Sequence, residues 1–220
     1  MIASLTPFSL IDYPSKLSAI VWFAGCNLRC KYCYNFDLID TKNFLDEEGV
    51  LGFLKSRIGL LDGVVCSGGE CSLWGERLLE FVGKVKEMGF CIKIDTNGSK
   101  PKVLKSLIER GWVDYVALDF KAPMQKLQAL CGREFFKEFE ESFTLLRDSS
   151  ISYEIRTTFH SELLSVKEIE AMRDWLRDMG YGGKYFVQGF VGDKGSLGGV
   201  GRSENEKLGN ILGIALRGMS

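Results

Sequence analysis

The chain has 220 residues, with 28 lysines and arginines against 29 aspartates and glutamates and a formal net charge of −1. That balance argues against a broad nucleic-acid footprint, leaving room only for a local basic patch. No apolar run approaches transmembrane length, residues 17–24 being too short to span a bilayer. The length suits one domain, 1–220, with a substantial core, and neither internal repeats nor a low-complexity linker divide it. Seven cysteines, an odd number behind nothing that reads as a secretory signal, argue against a disulfide framework and point to a reducing cytoplasm.

Six short runs rich in Val, Ile, Tyr and Phe read as strands: 17–24, 62–67, 90–95, 114–119, 151–157 and 184–190. Between them lie stretches with apolar residues three and four apart. Leu78, Val82 and Val85 share one helical face before a stop at Gly89. Pro101 opens a helix carrying Val103, Leu104, Leu107 and Ile108 up to Gly111. Phe136, Phe139, Phe143 and Leu146 mark another. Val166, Ile169, Met172, Leu176 and Met179 mark the last, opened by the capping box Ser165-x-x-Glu168. Strand and helix in strict alternation predict an α/β fold with a parallel sheet, whose working end is the carboxyl edge of the strands. The polar, glycine-rich stretch 192–205 lacks the spacing of a phosphate loop and reads as a flexible loop opening the tail 192–220.

The most informative stretch is Cys26-Asn27-Leu28-Arg29-Cys30-Lys31-Tyr32-Cys33, directly after the first predicted strand. Thiolates three and two residues apart can converge on one metal centre, and three of them leave one corner of a [4Fe–4S] cluster open for a substrate or cofactor. A zinc site is the alternative, with a fourth ligand drawn from Cys66, Cys71, Cys91, Cys131 or His160; none of these forms a second Cys-x-x-Cys. Such a site, or a cluster closed by four protein ligands, would make the chain a zinc-binding module or a non-enzymatic electron carrier.

Four further motifs end predicted strands: Ser67-Gly68-Gly69-Glu70, Asp95-Thr96-Asn97-Gly98, Leu118-Asp119-Phe120-Lys121 and Arg156-Thr157-Thr158. Each has an ordinary reading, as a βα turn, a helix cap, a surface salt bridge, or an Arg156–Glu154 pair on a solvent-facing side. In this order behind the three-cysteine loop, and with Ile11-Asp12-Tyr13-Pro14 upstream, they resemble the radical S-adenosylmethionine (SAM) superfamily. Within it they resemble the glycyl-radical enzyme activating enzymes, and among those the activators of anaerobic ribonucleoside-triphosphate reductase. The resemblance covers about residues 8–190.

It implies a six-unit (β/α) partial barrel open on one side, with Cys26, Cys30 and Cys33 holding a [4Fe–4S] cluster that cleaves SAM reductively. It implies Tyr32, Gly68, Gly69, Glu70, Asp95, Thr96, Asn97, Asp119, Lys121, Arg156 and Gln188 as the SAM-binding set. Asp95, Thr96 and Asp119 would also take a monovalent cation. The partner would be a glycyl radical enzyme, either anaerobic ribonucleotide reductase or pyruvate formate-lyase, with flavodoxin or ferredoxin as reductant; a small-molecule substrate is a further alternative. Three places depart from the family pattern: Cys71 stands where proline is usual, Tyr34 where histidine is, and Gly189-Phe190-Val191-Gly192 follows Gln188 where family members often carry a different sequence.

Overall fold

The computed structural model describes residues 1–192, 195–209 and 213–217; residues 193–194, 210–212 and 218–220 of the predicted tail lie outside them. One sheet carries eight strands in sequence order: β1 (Ile2–Ser9), β2 (Ser18–Phe23), β3 (Gly63–Gly68), β4 (Cys91–Thr96), β5 (Tyr115–Asp119), β6 (Ser152–Phe159), β7 (Tyr185–Gly189) and β8 (Ile214–Arg217). From β2 to β8 every neighbouring pair is parallel, while β1 runs antiparallel to β2. Among the described residues β8 does not pair back to β1, so the barrel stays open on that side. The six predicted strands are present, and the six-unit expectation gains an antiparallel strand at one edge and a short parallel strand at the other.

Among the described residues six α-helices lie between β2 and β7: α1 (Glu47–Lys55), α2 (Glu76–Glu87), α3 (Pro101–Glu109), α4 (Leu127–Cys131), α5 (Phe136–Arg147) and α6 (Val166–Asp178). Period-two alternation decides what each strand shows them. Val64, Cys66, Ile92, Ile94, Val116, Leu118, Ile155 and Val187 join the helices' Leu78, Val82, Leu104, Phe139, Phe143, Ile169 and Met172 in one buried core. Each such side chain contributes about 1.5–3 kcal/mol on full burial. The alternate residues point into the barrel and are largely polar: Ser67, Lys93, Asp95, Asp119, Glu154 and Arg156. Only the floor is apolar, where Tyr13, Ile20 and Val65 form a separate small cluster with Trp22, Cys91 and Tyr115. The motif Ile11-Asp12-Tyr13-Pro14 thus supplies the floor, and the Tyr13 ring lies so close to Gly63 that a Cβ there would meet it at 3.0 Å. No helix among the described residues is long and apolar enough to cross a membrane.

Candidate active site

The carboxyl ends of β2 to β6 and the inward residues of β7 meet around a cavity of about 200 Å³. Every residue nominated from the sequence lines it: Cys26, Cys30, Tyr32 and Cys33 from the loop after β2; Gly68, Gly69 and Glu70 after β3; Asp95, Thr96 and Asn97 at β4; Asp119 and Lys121 at β5; Arg156 on β6; Gln188 on β7. The parallel register brings them together, since strand ends at one edge of a curved sheet must converge.

Gly68 and Gly69 are required by backbone contact. Gly68 has φ +127, and a Cβ would lie 2.2 Å from the Phe23 carbonyl; at Gly69 it would lie 2.1 Å from that of Gly25. Gly69 N–H donates to Phe23 O at 3.0 Å and Glu70 N–H to Gly25 O at 2.8 Å, so this turn grips the entry to the cysteine loop. The buried Glu70 carboxylate accepts from Thr96 Oγ1 at 2.8 Å, from Asn97 N–H at 2.7 Å, and from the backbone and hydroxyl of Ser72. Burial pushes its pKa up, and these donors pull against that. Asn27, which sequence reasoning passed over, completes the tie: its amide donates to Ser99 Oγ at 2.8 Å and its carbonyl accepts from Asn97 Nδ2 at 3.1 Å.

Deeper in the barrel the charges form a ladder. Asp119 and Arg156 are register partners across β5 and β6, and Arg156 Nε donates to Asp119 Oδ1 at 3.0 Å. The same guanidinium reaches Asp95 at 3.5 Å, across the strand whose inward residue between them is the small Ala117. Lys121 Nζ donates to Asp119 Oδ2 at 3.0 Å, and Lys93, buried and likewise unread from the sequence, pairs with Asp95. Burial opposes ionisation at Asp119, but Arg156 and Lys121 overcome it and hold the carboxyl below its ordinary value; both cations are in turn held protonated. Arg156 and Glu154 are not turned to solvent: Glu154 is buried, accepts from Tyr115 Oη at 3.2 Å, and its charge helps keep Arg156 protonated. The three residues expected to take a monovalent cation, Asp95, Thr96 and Asp119, are each engaged by protein partners. Thr96 gives its hydroxyl to Glu70, and both aspartates already have cationic partners.

The three thiols differ in surroundings. Burial pushes Cys26 up to about 11, against a backbone donation from Leu28 at 3.4 Å, and burial raises Cys33 as well. Cys30 is lowered by a hydrogen bond from the Cys131 thiol, which keeps its own proton. The Lys121 ammonium favours the thiolate at all three. Among the described residues no three His, Cys, Asp or Glu side chains gather tightly enough for a single ion. The three thiols instead line a shared cavity, with backbone donors and a buried cation to support thiolates. This donor set fits a [4Fe–4S] cluster, in which three of the irons would each take one thiolate. Cys71, by contrast, lies wholly in the core, its thiol directed at Asp95 O at 3.5 Å, and does not line the cavity.

Residues 20–176 match the Radical SAM superfamily. This chain belongs to the radical SAM superfamily. Within it the chain falls in the group of glycyl-radical enzyme activating enzymes. It is 31% identical over 184 residues to a Methanocaldococcus jannaschii protein named as one, covering 81% of this chain and 76% of that one. It is 34% identical over 128 residues to the pyruvate formate-lyase-activating enzyme of Clostridium pasteurianum, covering 54% and 52%. The fold is shared with the anSMEcpe structure with bound AdoMet, at a TM-score of 0.62 and 19% identity over 77% of this chain and 50% of that one. SuiB of Streptococcus suis bound to S-adenosylmethionine gives a TM-score of 0.62 at 14% identity, over 86% and 46%. The chain spans about half the length of those solved chains. Radical SAM enzymes use a [4Fe–4S] cluster and SAM, and this chain is an enzyme of that type.

Proposed function

We propose that this enzyme generates a glycyl radical on a partner enzyme, and that the partner is anaerobic ribonucleoside-triphosphate reductase. The observation that carries the reading is a three-thiol loop at the mouth of a polar barrel left open between β1 and β8, in a chain similar to activating enzymes along most of its length. A second reading, activation of pyruvate formate-lyase, is favoured by the Clostridium pasteurianum relative.

Cys26, Cys30 and Cys33 would hold the cluster, three ligands that leave it a position for SAM. The bound cluster would supply the one-electron reduction that cleaves SAM, with flavodoxin or ferredoxin as the electron source, for removal of a hydrogen from a glycine Cα of the partner. The chain's own residues bind, orient and exclude water. Gly68, Gly69, Glu70 and Asn97 form the shelf for the methionine end, kept in place by the Glu70 tie. Asp95, Asp119, Lys121 and Arg156 form the charged wall, whose mutual pairing fixes each group before SAM arrives. Tyr32 and Gln188 bound the remaining sides. The open side lets a macromolecular loop reach the radical.

The test is electron paramagnetic resonance of the anaerobically reconstituted chain, reduced, with SAM and either reductase or pyruvate formate-lyase. A SAM-dependent glycyl signal on the reductase, absent with Cys30→Ala, is the expected result. A signal on pyruvate formate-lyase alone assigns the second reading, and SAM cleavage with no protein radical overturns both.

A further inference from the structure

The glycine-rich segment after β7 lies beyond the span that matches the superfamily, 20–176. Expected to be a flexible loop, it is laid as a strap across the cysteine loop. Leu197 N–H donates to Cys33 O and Gly198 N–H to Lys31 O, each at 2.9 Å. The approach leaves no room for a side chain: a Cβ on Gly198 would lie 2.8 Å from Lys31 Cβ and 2.9 Å from its Cα. The strap is braced internally by Val200 N–H to Ser196 Oγ at 2.9 Å.

Its far end is fastened to the loop after β6. Ser161 N–H donates to Ser203 Oγ at 3.2 Å, and Glu204 N–H donates to Ser161 Oγ at 3.0 Å. Between these two ends sits His160, the chain's single histidine, wholly buried with its ring 5.0 Å from that of Phe190. Its Nδ1 accepts from Glu162 N–H at 3.2 Å, which assigns the proton of the neutral ring to Nε2; that nitrogen donates to Gly201 O at 3.0 Å.

We propose that the 195–203 strap is the outer cover of the cluster-ligand loop and that His160 is the positioning residue that holds it there. The proposal rests on the reading that Cys26, Cys30 and Cys33 carry the cluster. The ligand loop has no helix or strand of its own and is clamped from two sides. On one side Arg29 N–H donates to Cys131 O at 2.7 Å and Lys31 N–H to Leu130 O at 3.0 Å, both on α4. On the other the strap takes the carbonyls of Lys31 and Cys33, beside the partly exposed third thiol. Iron leaves such a site when the loop opens. Loss of the strap's two backbone hydrogen bonds raises the open population by roughly tenfold.

The experiment compares the full-length chain with Gly198→Val, His160→Ala and His160→Gln, whose amide still reaches Gly201 O. It follows anaerobic loss of the cluster's visible absorbance to a ferrous chelator, and backbone hydrogen exchange of the metal-free chain. Gly198→Val and His160→Ala are expected to lose iron about tenfold faster, and to exchange faster over 28–34 and 195–201, with His160→Gln close to wild type. Position 198 is exposed, so its substitution leaves the core intact. Wild-type iron loss and wild-type exchange in Gly198→Val would overturn the proposal. If the wild type binds no cluster, the cluster reading fails separately, and exchange over 28–34 alone decides whether the strap covers the loop.

Discussion

Glu70 places a charge where solvent does not reach and Arg156 one that is largely buried in the cavity wall, and each is tolerable only through its partners. Replacing Glu70 by glutamine puts amide hydrogens against donors from Ser72, Thr96 or Asn97, and a loss of about 2 kcal/mol is expected in urea unfolding. Arg156→Ala leaves Asp95 to Lys93 and Asp119 to Lys121 alone, with an expected loss of about 1.5–3 kcal/mol by the same measurement. Asp119 carries a pH signature. Its carboxyl is held below the ordinary value of 3.8, so its stabilising contribution is complete above that value and is lost as pH falls through the folded one. The stability gap between wild type and Asp119→Asn should therefore be constant near neutrality and shrink below pH 3.8; a gap that widens in acid would contradict the ladder. Much of this was readable. Lys93 and Asp95 alternate with Ile92 and Ile94, a pattern that turns two charges to one face, yet a lysine inside a strand looks like an ordinary edge residue until the barrel closes around it. The Glu70 tie was not readable, because its partners come from another strand, 26 and 27 residues away.

Elements with strong local signals were legible, and those shaped by their neighbours were not. The capping box of α6 is local: Ser165 Oγ accepts from Glu168 N–H at 3.3 Å and the Glu168 carboxylate accepts from Ser165 N–H at 2.8 Å. Ser165→Ala should cost about 1 kcal/mol in urea unfolding and leave SAM affinity unchanged. Helix α1 escaped notice because Gly49 and Gly52 interrupt its apolar spacing; its start is set by Asp46, which accepts from Gly49 N–H at 2.9 Å. Strand β1 contains Pro7, a residue that argues against a central strand but is tolerated at an edge, where one side of the backbone needs no partner. The turn Gly68–Gly69 was legible as a turn, while its closeness to Phe23 and Gly25 was not. Gly69→Ala must displace the Gly25 carbonyl, and an expected loss of about 1–3 kcal/mol should be accompanied by poorer iron loading at reconstitution.

At the scale of the molecule, topology does the gathering. Consecutive strands lie side by side in sequence order, so motifs dispersed between residues 26 and 188 reach one mouth because each terminates, or lies near the end of, a parallel strand. The alternation of strand and helix was therefore enough to predict where the site would form. What the sequence does not express is which inward side chains pair with one another, or that the glycine-rich tail returns to the cysteine loop, because both depend on contacts made only after the barrel has curved. On the proposed reading, the three thiols and the charged wall serve SAM cleavage in one cavity. The most direct measurement is release of 5′-deoxyadenosine and methionine by the reconstituted, reduced chain, compared with Cys33→Ala. Equimolar release from wild type and none from the variant is the predicted result; release undiminished in Cys33→Ala, or none from a wild-type chain carrying its full [4Fe–4S] complement, would contradict it.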